Sequence, residues 1–84
     1  MKVWYVLNVY STADNLSRTV KLFATEELAK AWMEEDYLET LKENEIDLSV
    51  PGIKVDRGET YIYLHDNYGY EELSYDLGVE EVEQ

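Results

Sequence analysis

Apolar and polar positions alternate in short runs along most of this chain, and only one stretch keeps a three-to-four-residue period. Residues 3–10, VWYVLNVY, are β-branched and aromatic and apolar on both alternating faces, the composition of a central strand. This run is expected to be the most buried strand. The polar cluster 11–17, STADNLS, predicts a turn, and 18–24, RTVKLFA, resumes the alternation with Val20 and Leu22 on one face. Together they predict a β-hairpin.

Thr25 then precedes Glu26 and Glu27, an N-cap hydroxyl followed by carboxylates where the helix dipole favours negative charge. Leu28, Ala29, Trp32, Met33, Tyr37 and Leu41 recur at three- and four-residue steps and are expected to face a sheet, with Glu27, Glu34, Leu38 and Glu45 opposite. The period is less clean beyond Asp36, so a bend or change of face is expected before the helix ends near Asn44. Pro51 and Gly52 open a third strand at Ile53, and DRGE at 56–59 is a hairpin signal with Gly58 available for positive φ. The fourth strand, TYIYLHD, puts Tyr61, Tyr63 and His65 on one face and Ile62 and Leu64 on the other.

The C-terminal segment fits two periods. Tyr70, Leu73 and Leu77 suit a helix capped by Gly78, while Leu73, Tyr75, Leu77 and Val79 alternate as a strand does. The expectation is a short helix or turn over 71–77 and a strand at 79–83. The predicted fold is thus a single α+β domain over residues 1–84: an antiparallel sheet of about four strands with one main helix packed on one face, in the order β-β-α-β-β, then the short C-terminal helix or turn and strand.

Composition supports folding: 45% hydrophobic residues with one proline and four glycines is unlike a disordered chain, and 84 residues suffice for one core. The absence of cysteine excludes disulfides, thiolate zinc sites and a cysteine nucleophile. The N-terminal MKVWYVLNVYS suits a first strand better than an export segment, and no apolar run reaches the roughly 20 residues of a bilayer span. A cytoplasmic protein of a bacterial host cell, not associated with membrane, is expected.

Charge changes the picture most. Nineteen acids against seven bases give a net −12, which repels nucleic acid and anionic lipid and favours a basic protein partner. After Arg57 there is no lysine or arginine, yet this stretch holds eight acids and five of the eight tyrosines. Tyrosine buries much area at low entropic cost and keeps a polar tip, which suits interfaces. Carboxylates held on a rigid sheet and helix can occupy a groove of Lys and Arg as phosphates do, with tyrosines in base-stacking pockets. The alternative is that the acids solvate the surface and the tyrosines pack in the core.

Catalytic chemistry is weakly supported. His65 is the one histidine, and on a strand its neighbour Asp66 projects to the opposite face. No serine stands in a nucleophile elbow. DNYGYE from Asp66 lacks the regular oxygen ligands of an EF-hand loop, and the glycines are isolated rather than clustered around a phosphate. No catalytic residue, metal site or cofactor is expected.

The segments MKVWYVLNVYS, KLFATEELAKAWMEE and GVEEVEQ resemble small phage- and prophage-encoded proteins of unknown function. Their pattern is an MKVY-like first strand, a second strand ending in Phe-(Ser/Ala)-(Ser/Thr)-Glu-Glu before an Ala- and aromatic-containing helix, and a late acidic strand. In size and acidity the chain is also similar to phage inhibitors of host nucleic-acid enzymes, namely anti-CRISPR proteins, restriction inhibitors and the uracil-DNA glycosylase inhibitor. That likeness implies a class of function and transfers no residue. The expectation is a non-enzymatic anti-defence inhibitor that binds a basic surface of a host nuclease or CRISPR effector. The candidate partner-binding residues are Glu59, Asp66, Tyr68, Tyr70, Glu71, Glu72 and Asp76, with Glu34 and Glu35 if the helix shares the face. The alternatives are an assembly module that homodimerises through its tyrosine face, and a sponge for a nucleotide signal.

Overall fold

The computed structural model describes residues 1–67 and 71–83. The elements are β1 (Lys2–Thr12), β2 (Leu16–Phe23), α1 (Glu26–Glu43), β3 (Ile53–Arg57), β4 (Tyr61–Asp66) and β5 (Glu71–Glu81). The strands form one antiparallel sheet in the order β2-β1-β5-β4-β3, and α1 packs on one face of it. The α+β class and the β-β-α-β-β order up to β4 agree with the sequence pattern, with five strands rather than about four.

The extra strand is a correction to the C-terminal expectation. In place of a helix or turn over 71–77 and a separate strand at 79–83, β5 is one strand of eleven residues. It inserts between β1 and β4, pairing from Lys2 with Glu81 to Thr12 with Glu71 on one side and from Tyr61 with Asp76 to His65 with Glu72 on the other. Neighbours on both sides supply partners for its backbone groups, which a lone amphipathic turn would leave to water. The two-residue alternation then places Leu73, Tyr75, Leu77 and Val79 on the helix side.

The core beneath α1 consists of Val6, Ala29, Met33, Tyr37, Ile62, Leu64, Leu73 and Tyr75. It is centred on β5 and β4. Contrary to expectation, β1 is not the most buried strand: only Val6 is fully buried there, against Ile62 and Leu64 on β4 and Leu73 and Tyr75 on β5.

The Thr25 side chain accepts a hydrogen bond from the Leu28 N–H, with Glu26 and Glu27 in the first turn where the helix dipole favours them; in the last turn Lys42 is offset by Glu43. Ala29, Met33 and Tyr37 are buried and Trp32 and Leu41 pack beside them, as the period predicts, whereas Leu28 is exposed. The irregularity at Asp36 has a cause: its carboxylate accepts a hydrogen bond of 2.7 Å from the Tyr75 hydroxyl. Tyr75 is also ringed by Trp32 and Tyr37, each at a centroid distance of 6.2 Å.

Asn44 caps the helix C-terminus. The Ile46 N–H bonds back to Leu41 and the Glu45 N–H to Lys42, the paired closure of a Schellman turn, with Leu41 and Ile46 both packed against the core. Glu45 occupies the left-handed position at φ 53°, where glycine is usual. Gly52, at φ +98°, turns the chain into β3 as the Pro-Gly pair predicts. Gly58, expected to take positive φ, does not; a Cβ there would instead press on the Tyr61 ring.

Candidate functional site

The sheet has a covered face and an open one, and antiparallel register decides which residue goes where. On β5 the odd positions point to α1, so Glu72, Ser74, Asp76, Gly78 and Glu80 face outward. Tyr61, Tyr63 and His65 of β4 share that outward face, as their spacing predicts, and Lys54 and Asp56 of β3 extend it. Across the other edge the same face carries Val3, Tyr5, Leu7 and Val9 of β1 and then Leu16, Arg18, Val20 and Leu22 of β2.

The open face therefore has two halves. Over β5, β4 and β3 it is acidic and aromatic. Tyr63 and His65 stack with ring centroids 5.0 Å apart at 36°, and His65 lies directly across from Glu72 on one side and Lys54 on the other. The Tyr63 hydroxyl is raised above its ordinary value, by desolvation first and then by the charge and hydrogen bond of Glu72. Tyr61 donates a hydrogen bond of 3.3 Å to Asp56. Over β1 and β2 the face is apolar, with Val20 and Leu22 60% and 69% exposed. Tyr5 lies over Gly78, where any side chain would collide with its ring, so this tyrosine bridges the two halves.

The residues expected to form one binding surface are divided by this arrangement. Glu72 and Asp76 stand on the open face. Glu71, one residue from Glu72, points to the helix side and accepts a short hydrogen bond from the Tyr10 hydroxyl, so it is a structural partner of β1. Burial, then that hydrogen bond and the carboxylate charge, push the Tyr10 hydroxyl up to about 12. Asp66 is half-buried at the end of β4 on the helix side. Glu34 pairs with Arg57 of β3, and Glu35 is exposed on α1. Glu59 is exposed between β3 and β4. Tyr68 and Tyr70 lie outside the described residues. The helix acids thus do not share a face with Glu72 and Asp76, because the sheet stands between them.

Sequence reasoning passed over Tyr5, Lys54, Asp56 and Glu80 as members of the outward surface, and it left unassigned which face Val20 and Leu22 occupy. The alternation was visible, but only the pairing of β2 with β1 shows that Phe23, not Leu22, turns toward Trp32, at 5.8 Å. Among the described residues no three His, Asp or Glu side chains converge as a metal site would require, and no helix is long and apolar enough to cross a membrane. No family model, curated protein or solved structure matches the chain.

Proposed function

We propose that this chain is a non-catalytic inhibitor that occupies a basic, nucleic-acid-binding surface of another protein, in the manner of a phage anti-defence protein acting on a host nuclease or CRISPR effector. The observation that carries the reading is the ladder of Glu72, Asp76 and Glu80 on the outward face of the central strand. Residues four apart on a strand are about 13–14 Å apart, the axial rise of roughly four base steps on one nucleic-acid strand. Pairing with β1 along its length, and with β4 over residues 72–76, holds β5 in place, so these carboxylates have defined spacing, and Tyr61 and Tyr63 lie beside Glu72 and Asp76. A mobile acidic tail supplies charge without spacing. Two lines of acid, one on this face and one on α1, steer the protein toward cationic partners.

The test uses a guide-loaded CRISPR nuclease and a panel of other basic nucleases, with association and DNA cleavage both measured. Binding should weaken steeply as salt rises, and Glu72→Lys with Asp76→Lys should abolish inhibition while Glu35→Lys on the far side has a smaller effect. Affinity indifferent to salt and to the β5 reversals would refute the proposal.

A further inference from the structure

We infer that the apolar half of the open face, built by β1 and β2, is a self-association surface that docks against the same half of a second copy of this chain. The apolar residues there form one patch interrupted on β2 by Arg18: Leu16, Val20 and Leu22 are 53%, 60% and 69% exposed, and Val3, Leu7 and Val9 beside them on β1 are only partly covered. At its end lies an open groove of about 310 Å³ lined by Met1, Lys2, Val3, Leu22, Phe23 and Ala24. A sheet face of this kind is stable against another sheet face, with inward side chains interdigitating across a layer of about 10 Å.

Charge identifies the occupant. Residues 1–25 hold three bases and one acid, a net of +2, whereas residues 26–84 hold four bases and eighteen acids, a net of −14. Two copies repel one another through every surface that α1, β4 and β5 present. The hairpin of β1 and β2 is where that repulsion is weakest and where exposed apolar area is greatest. A two-fold contact between hairpins also leaves the acids of β5 at the margin of the interface. Arg18, which makes no ion pair among the described residues, stands on the same face of β2 between Leu16 and Val20, two strands from β5. The α1 side of the sheet stays free in the assembly.

Sedimentation over protein concentrations from about 1 µM to about 1 mM tests this directly. A concentration-dependent rise from monomer to dimer mass is expected. Val20→Thr with Leu22→Thr should weaken the dimer about tenfold or more, because threonine keeps strand propensity and net charge while removing apolar area. Far-UV circular dichroism of that variant should be unchanged, which separates lost docking from lost folding. Raising salt from about 0.05 M to about 1 M should tighten the dimer by screening self-repulsion. That is the opposite of what salt does to a contact between carboxylates and a basic partner, so the two proposals fail separately. A chain that stays monomeric throughout, or a dimer unaffected by the threonine pair, overturns the inference. So does capture of the hairpin face by a different protein while the chain alone remains monomeric.

Discussion

On the helix side of the sheet, Ile62, Leu64, Leu73 and Tyr75 are buried beneath α1; one residue along the same strands, Tyr61, Tyr63, Glu72 and Asp76 face outward. The same backbone register makes both faces, so the difference lies wholly in what covers them. Covered positions are held by close packing, and a change there is felt as stability. Outward positions have room to relax, and a change there is felt in whatever docks.

The largest expected break in that contrast is Leu73→Ala. A fully buried leucine between β1 and β4 should cost about 3 kcal/mol through lost transfer energy and the cavity left behind, read as a drop in urea midpoint. Leu22→Thr, on the other face, should change the stability of the monomer by less than about 0.5 kcal/mol.

Alkaline pH probes two tyrosines on the covered side. Tyr10 is pushed up to about 12, and Tyr75 is also raised, by burial first and then by its hydrogen bond to Asp36. In the unfolded chain both ionise near pH 10. The folded state therefore holds these protons more tightly. The resulting stability is complete below about pH 10 and is lost as pH rises toward about 12. Allowing for solvent screening around Tyr10, the Tyr10→Phe variant should remove about 1 kcal/mol of this pH dependence, measured by urea denaturation across that range.

Glu45→Gly sharpens the comparison from a third direction, since it alters neither face. Relieving the left-handed backbone at the helix C-terminus should raise stability by about 1 kcal/mol, seen as an increase in Tm of a few degrees. A small effect is also expected at the Arg57 and Glu34 pair, which is substantially exposed; Arg57→Met should cost no more than about 1 kcal/mol, read as a shift in urea midpoint.

Much of the covered side was legible from residue order. The Thr25 cap, the helix end at Asn44, the packing of Ala29, Met33 and Tyr37, and the separation of Ile62 and Leu64 from Tyr61, Tyr63 and His65 onto opposite faces all follow from local periods and capping chemistry, which depend on residues a few positions apart; which of those two faces turns inward does not. The candidate surface was less legible. Glu71 and Glu72 looked like one acidic pair, yet one satisfies Tyr10 and the other stands beside His65. Leu28 kept the helical step of the core residues but lies outside it, because the sheet reaches only part of the apolar stripe.

Residue order by itself determined the net charge, the absence of thiol chemistry, the hairpin, the capped helix and the two-residue alternation of the late strands. It left the C-terminal segment between two periods, since Tyr70, Leu73 and Leu77 keep a helical step while Leu73, Tyr75, Leu77 and Val79 alternate as in a strand. The tertiary structure decided it. Residues 71–81 find β1 along their whole length and β4 beside residues 72–76, and that backbone pairing outweighs the few bonds a single helical turn could make. That one insertion makes the acidic C-terminal segment the middle of the sheet, and it sends alternate carboxylates to opposite faces.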